Sequence, residues 1–547
     1  MTQQDWLTTL IIAIVNTLFL FFASGKFLLA MQQCSYRNGR YFRWLYSKKN
    51  QYLSRLMLLS LLGFLFAMLL GPTFASIMPI KYAQYFGFLS YAFFIVVYIH
   101  TERHVTAKLP LKITKRMLRL TIVNFLITFA VSFAITLGLT YSGKGDMTSF
   151  GRVYTLLKYS FIALTPLLAP FILILSNGVV KPLESRISDK YIKRTKKLLD
   201  DSRLIKIGIT GSYGKTSVKE ILKTLLSVKY RVLATPESYN TPLGISFAVK
   251  DLDSTYDVFI AEMGAREVGD ISDLAKLVNP DVAVLTGVNS QHLETFKSLE
   301  NIKNTKYELF ENLKEGGKAF FDVNCDVSKE LSQKFNGEKY LIGEGSNFVC
   351  AQNIKTVKEG VVFDLVIEGE QPEKCFTTLI GKHSIRNILL AVGVAYKLGL
   401  SVREIAFGIS RIHSIKHRLE VLPNNKGVTL IDDSYNSNTD GVKCALDAML
   451  EFDGRKIIVT PGLVELGANQ NDVNYALGKL IYEKCEIMII SAKHNAVPLI
   501  NGFVDAGGSK ENILFAPSHT QAQKLLDSIL KEGDVVLFEN DLPDIYD

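Results

Sequence analysis

The sequence predicts an N-terminal α-helical membrane domain followed by two α/β domains, the first built on a mostly parallel sheet with a phosphate-binding loop and the second Rossmann-like. Three observations carry this. Five apolar stretches, at about 7–31, 56–80, 82–99, 120–141 and 153–176, fill the first third of a 547-residue chain. Residues 1–200 hold 24 Lys/Arg against 6 Asp/Glu, whereas the remainder holds 38 against 47, so the net charge of +9 conceals a basic segment joined to an acidic one. Beyond residue 200, strand-like and helical segments alternate, the pattern of a parallel sheet with crossover helices. At roughly 150 residues per domain the length suits three or four domains.

Most of the apolar stretches reach the roughly 20 residues that cross a hydrocarbon core, and the third is marginal. The loops set their orientation. Arg37, Arg40, Arg43, Lys48, Lys49 and Arg55 follow the first stretch, and Arg103, Lys108, Lys112, Lys115, Arg116 and Arg119 follow the third. The opposite side carries only Lys81, Lys144 and Arg152. The positive-inside rule then predicts a membrane domain over 1–180 with five spans, an external N-terminus and a cytoplasmic remainder. Asp5 and the absence of a cation before the first stretch argue against a cleaved signal peptide. The competing reading makes one or two stretches buried or interfacial helices; an even number of spans places the remainder outside, where ATP is absent. Confinement of the basic charge to this part argues against nucleic-acid binding. The six cysteines show no CxxC or Cys/His ligand spacing, as expected of reduced thiols.

Residues 181–205 read as a charged, helix-compatible connector whose Lys193, Arg194, Lys196 and Lys197 suit an anionic inner leaflet. A first α/β domain is expected over 206–416, with strands IKIGIT, DVFIAEM and DVAVLTG and helices SVKEILKTLLSVKY and ISDLAKLV. A second, over 417–547, alternates VTLIDDS, KIIVTPG, EIMIISA and DVVLFEN with the helical segments GVKCALDAML, NYALGKLIYEKC and TQAQKLLDSILKEG.

KIGITGSYGKTS, residues 206–217, places a strand, a glycine turn and a helix start in succession. Gly211 and Gly214 permit close backbone approach, Ser212, Lys215, Thr216 and Ser217 lie at the helix N-terminus, Lys215 adds a mobile cation, and Thr216 offers a hydroxyl to Mg²⁺. Ile209 replaces the first glycine of the general eight-residue phosphate loop. The plain alternative is a glycine-rich turn before an amphipathic helix. Glu262 ends an apolar strand, the edge where open α/β sheets bind ligands, so it is either a Mg²⁺ ligand or a solvated strand-end glutamate. His292 follows the next strand and by itself reads as a surface or capping residue; Lys306 by itself is a helix-face lysine. His383 and Asn387, one helical turn apart, either face a nucleotide or decorate their helix. Arg418 and the run Asp432–Asn436 stand at the expected domain junction, as a ligand face or as a polar turn.

In order along the chain, TGSYGKTS, ATPESYNTPLGIS, VFIAEMGAREVGDI, HLETFKSLENIKNTKYELFENL, GKHSIRNILLAVGVA and HRLEVLPNNKGVTLIDDSYNSNTDG resemble the motifs of the Mur ligase family. The spelling TGSYGKTS is most similar to the branch that joins D-alanyl-D-alanine to a UDP-N-acetylmuramoyl tripeptide. The resemblance covers about residues 200–545 and implies an ADP-forming carboxylate–amine ligase acting through an acyl phosphate. It implies ATP binding by the loop 211–217 with Asn240, His383, Asn387, Arg418, Asp433, Tyr435 and Asn436. It implies two Mg²⁺ held by Thr216, Glu262, His292 and Lys306, the lysine carbamylated by CO₂. Lys215, Lys306, His292 and Arg418 carry the catalytic expectations, and Glu465 matches a C-terminal motif of unassigned role. The implied partners are a UDP-linked or lipid-linked cell-wall peptide precursor, an amino acid or dipeptide, and membrane lipid.

The chain departs from that branch where the membrane part replaces a UDP-sugar-binding domain, where Asn474 stands in place of a common histidine, and at the end FENDLPDIYD. These departures concern the acceptor more than the ATP chemistry. The rival readings are a membrane-linked poly-γ-glutamate synthetase, which resembles the same core, folate-type polyglutamylation, against which stand five spans that serve no soluble substrate, and a nucleotide-gated transporter or sensor. Against the latter, the spans hold few charges beyond Lys26 and Lys158.

Overall fold

The apolar stretches of the first third fold as helices, in which the backbone N–H and C=O groups pair within each segment. The helices of this part are Gln3–Ala23, Gly25–Gln33, Gln51–Ile77, Ile80–Ala83, Phe86–Arg103, Lys115–Ser142 and a 3₁₀ segment Lys158–Leu168 leading into Ala169–Asp200, with the basic, amphipathic Asn38–Leu45 between the first stretch and the second. This structure is a computed structural model that describes residues 3–46, 51–83, 85–103, 110–142, 157–237, 239–289, 293–343, 348–357, 360–423, 427–435, 438–464, 466–516 and 519–540. The chain divides between Ile187 and Ser188 into two units.

Four helices of the first unit, Gln3–Ala23, Leu53–Phe74, Lys115–Tyr141 and the one within Lys158–Asp200, are long and apolar enough to cross a membrane. The third expected span departs from this. Its stretch is broken into Ile80–Ala83 and Phe86–Arg103, and at 1.5 Å per residue the latter reaches about 27 Å, just short of a hydrocarbon core of about 30 Å.

A seam of small polar side chains joins these helices internally. Asn16 Nδ2 donates to Ser132 Oγ (3.1 Å), and Asn16 Oδ1 accepts from Tyr91 (2.9 Å) and Thr165 (3.2 Å). Thr9, Thr140 and Tyr159 continue the seam. These pairs satisfy buried polar groups between the helices and fix which faces meet. Leu58, Leu61, Leu65 and Leu69, with Leu118, Ile122 and Leu126, point outward.

The second unit contains two sheets. The first has strands β1 Ile205–Thr210, β2 Val232–Ala234, β3 Val258–Glu262, β4 Val282–Leu285, β5 Lys318–Asp322, β6 Lys339–Ile342, β7 Val349–Val357, β8 Gly360–Ile367 and β9 Glu373–Thr377, in the order β2-β3-β1-β4-β5-β6-β7-β8-β9. It is parallel from β2 to β7 and antiparallel over β7, β8 and β9. Ile207, Ile209, Val258 and Ile260 pack on one face with Val218, Leu222 and Ile388. Phe259, Ala261, Ala283 and Leu285 pack on the other with Ile302, Leu309 and Phe321. Both faces are covered, as all-parallel strands require.

The second sheet has β10 Glu420–Leu422, β11 Thr429–Asp433, β12 Lys456–Thr460, β13 Ile487–Ile490, β14 Ile513–Phe515 and β15 Val535–Glu539, in the order β10-β11-β15-β12-β13-β14. All its pairings are parallel except that of β10. The expected strands and helices appear within a few residues of their predicted places, and the antiparallel β7–β9 extension is an addition to them.

Candidate active site

Register brings three strand ends to one edge. Ile209 pairs with Glu262 and Thr210 with Leu285, so the loops after β1, β3 and β4 open on the same side, where parallel sheets carry ligands. The first of these loops is the phosphate motif. Gly211 has φ 152° and Gly214 φ 79°, where side chains are strained. A Cβ on Gly211 would lie 2.0 Å from Thr286 Oγ1. The loop is tied to the strand beside it, with Ser212 N donating to Gly287 O at 2.7 Å and Thr286 Oγ1 reaching the Tyr213 carbonyl. Ile209, in place of the general motif's first glycine, is wholly buried in the strand core.

The Lys215 ammonium donates to Gly211 O (2.7 Å) and Ser212 O (3.3 Å). Burial lowers its pKa, against the attraction of Glu262. Thr216 Oγ1 donates to Glu262 Oε2 at 3.0 Å, and Asn240 Nδ2 lies 3.4 Å from Glu262 Oε1. The Glu262 backbone N–H is held by Thr235 Oγ1 at 3.0 Å. The Thr216 hydroxyl and the Glu262 carboxylate put oxygen donors of the kind that suit Mg²⁺ beside the phosphate loop, with the Asn240 amide nitrogen turned to the carboxylate. Lys219, which the sequence reading did not single out, adds an ammonium 3.4 Å from Glu262 Oε2.

Lys306 is not on a solvated helix face. It lies on helix Leu299–Glu311 with 4% of its surface exposed. Burial, with repulsion from Lys215, lowers its pKa to about 7, opposed by Asp270 and Glu308. Glu308 accepts from the N–H groups of Gly269 and Ser272, both at 2.8 Å, and so anchors the start of helix Asp270–Val278.

A cleft of about 850 Å³ opens from Gly214 and Ser217 toward the second sheet and is lined also by His383, Asn387, Arg418 and Asp433. A Cβ on Gly214 would come within 2.9 Å of Asn387 Oδ1, so loop and helix touch. Burial, and then Arg386, lower the His383 pKa to about 4, leaving a neutral ring. Burial raises the Asp433 pKa while Arg418 opposes it. Tyr435 is 43% exposed, and the Arg418 guanidinium lies 4.6 Å from its ring centroid. Asn289 bridges the two α/β domains, donating to Asn438 Oδ1 (2.9 Å) and Asp440 Oδ2 (2.8 Å).

The family model for the Mur ligase middle domain matches residues 209–395, and that for the Mur ligase glutamate ligase domain matches residues 417–539, together more than half of the chain. The chain belongs to the Mur ligase family. Members of this family are ATP-dependent, ADP-forming ligases. The UDP-N-acetylmuramoyl-tripeptide–D-alanyl-D-alanine ligase of Bacillus subtilis is 28% identical over 341 residues, covering 61% of this chain and 72% of that protein. The enzyme of the same name from Buchnera aphidicola is 30% identical over 287 residues, covering 52% and 62%. The MurF ligase of Thermotoga maritima, solved in complex with ADP, is similar with a TM-score of 0.58 at 27% identity, covering 65% of this chain and 80% of that one. The chain thus spans about three fifths to seven tenths of the length of the curated relatives it matches.

Within this Mur ligase, the fold brings together Gly211, Ser212, Gly214, Lys215, Thr216, Ser217, Asn240, Glu262 and Lys306 around the sheet edge, and His383, Asn387, Arg418 and Asp433 around the adjoining cleft. His292, Asn436 and Glu465 lie outside the described residues. Asn474 is a fixing residue for a loop: wholly buried, it accepts from Leu463 N (2.8 Å) and donates to Leu463 O (2.9 Å) and Gln470 O (2.8 Å). Asp322 and Asn324 also line the cleft. Their signal was in the sequence, since DVNCD follows the apolar strand β5 as Glu262 ends β3.

Proposed function

We propose that this chain uses ATP to join the terminal carboxylate of a cell-wall peptide precursor to an amine-bearing amino acid or dipeptide, with D-alanyl-D-alanine as the donor and a UDP-N-acetylmuramoyl tripeptide or its lipid-linked counterpart as the acceptor. The observation that carries this is the convergence of Lys215, Thr216, Glu262 and buried Lys306 at the C-terminal edge of β1, β3 and β4, beside a cleft able to hold a nucleoside.

The backbone of 211–214 and the Lys215 ammonium hold the β- and γ-phosphates, while His383 and Asn387 face the base side of the cleft. Thr216 and Glu262 would hold one Mg²⁺, and Lys306, as a carbamate, with His292 would hold a second. The neutral Lys306 amine is the form that would add CO₂, losing a proton as the N–C bond forms and leaving a metal-binding carbamate anion. Mg²⁺ held there would supply neutralisation of phosphate charge; in the reaction the acceptor carboxylate attacks the γ-phosphorus, ADP leaves, and the amine then displaces phosphate from the acyl phosphate. Arg418 and Asp433, on the second domain, meet the nucleotide as the cleft closes.

The apolar helices support membrane attachment, with the short Phe86–Arg103 as a fifth span, the N-terminus outside and the ligase facing the cytoplasm, where the precursor or its lipid lies. The test is full-length protein in detergent with ATP, Mg²⁺, bicarbonate, UDP-N-acetylmuramoyl tripeptide and D-alanyl-D-alanine. The expected product is heavier than the tripeptide by one dipeptide unit; turnover with glutamate alone as the donor would replace this reading with polyglutamate synthesis.

A further inference from the structure

Glu262 has a cationic neighbour that the phosphate-binding motif does not contain. Lys219 stands one helical turn beyond Lys215 on helix Lys215–Leu226, and none of its side chain is exposed. Its ammonium lies 3.4 Å from Glu262 Oε2, the oxygen that also accepts from Thr216, and 3.3 Å from Glu220 Oε1. It also donates to the Glu237 carbonyl. Glu237 has φ 44°, a left-handed conformation that a residue with a side chain rarely adopts. Three residues later, the same segment delivers Asn240 to the other Glu262 oxygen. A lysine wholly withdrawn from water is costly and is retained only when paired; plain packing here would be served better by leucine or methionine.

We propose that Lys219 is a positioning residue of the ligase: it fixes the Glu262 carboxylate for the metal and, through the Glu237 carbonyl, locks the segment carrying Asn240 against the helix of the phosphate loop. This rests on the metal-binding role assigned to Glu262 above. Groups that hold a metal ligand from behind typically change metal affinity 10- to 100-fold when removed. The ammonium also repels a cation at the same carboxylate, so orientation and repulsion pull in opposite directions; with two further partners of Glu262 arranged by the same contacts, orientation dominates.

The test uses full-length protein in detergent, with Mn²⁺ as the probe at fixed ADP, its binding followed by electron paramagnetic resonance. Lys219→Met keeps the length of the stem and removes the charge. It is expected to raise the half-saturating Mn²⁺ concentration about tenfold or more, and Glu262→Gln at least as much. The double variant is expected to bind no more weakly than Glu262→Gln alone, because Lys219 acts through Glu262. Unchanged or tighter Mn²⁺ binding in Lys219→Met, or effects that add in the double variant, would overturn the proposal. If Lys219→Met alone does not fold, the double variant has no unpaired charge, and its comparison with Glu262→Gln decides the question by the same criterion. A Glu262→Gln variant with unaltered Mn²⁺ dependence would instead overturn the metal site itself.

Discussion

Lys306 illustrates how burial turns a common residue into a reactive one. With its folded-state pKa near 7 and an ordinary value of 10.5, the unfolded chain holds a proton that the folded chain has released throughout that interval. The burial penalty is therefore full below pH 7 and disappears as pH rises toward 10.5. In bicarbonate-free buffer, Lys306→Met should be more stable than the parent at pH 6 by on the order of a few kcal/mol, with the difference closing near pH 10, as read from thermal unfolding. The same variant should lose ligation, and a short carboxylic acid should restore part of it by standing in for the carbamate. His383 gives a second prediction. Its imidazole, lowered to about 4, should show no titration between pH 5.5 and 8 in its ring-proton resonances. A midpoint near 6.5 would mean that the ring is solvated.

The elements that hold these residues depend on a few close contacts. Gly211→Ala would drive a Cβ to within 2.0 Å of Thr286 Oγ1 at a φ of 152°, so the loop must move; a stability loss of about 2–4 kcal/mol with loss of ADP binding is expected, measured by unfolding and calorimetry. Asn474→Leu would strip the Leu463 N–H of its buried partner and leave the Leu463 C=O to Asn495 Nδ2 alone (3.0 Å), for a loss of about 1–3 kcal/mol, with ADP binding retained because Asn474 stands outside the phosphate loop. The phosphate loop and the Glu262 edge were legible in the sequence because strand, glycine turn and helix succeed one another within twelve residues. Lys219 was not, since a lysine in SVKEILK looks like the solvated face of an amphipathic helix until β3 and the Glu237 segment close over it. Asn474 was noted only as a departure from a family pattern; its role depends on the loop after β12, which local periodicity does not encode. The antiparallel strands β7–β9 likewise lie in a region with alternating polarity but no site motif to draw attention to it.

At the scale of the whole molecule, a helical unit rich in outward-facing leucine precedes a Mur ligase core. Charge asymmetry and apolar length made that division readable, whereas the number of spans was less so, because Phe86–Arg103 falls at the limit of membrane-crossing length. With that helix crossing and the N-terminus outside, protease added to inside-out vesicles should remove the α/β unit, and protease added to right-side-out vesicles should spare it; the reverse pattern would contradict that arrangement. The central claim is that the site activates a carboxylate and does not merely hydrolyse ATP. The direct measurement is turnover by the full-length protein of UDP-N-acetylmuramoyl tripeptide carrying ¹⁸O in its terminal carboxylate, with D-alanyl-D-alanine, ATP, Mg²⁺ and bicarbonate, followed by mass analysis of the released phosphate. Phosphate bearing one ¹⁸O is the predicted result, because the carboxylate oxygen passes to phosphorus in the acyl phosphate. Phosphate without label, released by attack of water, would contradict the ligase account and favour an ATP-driven membrane device.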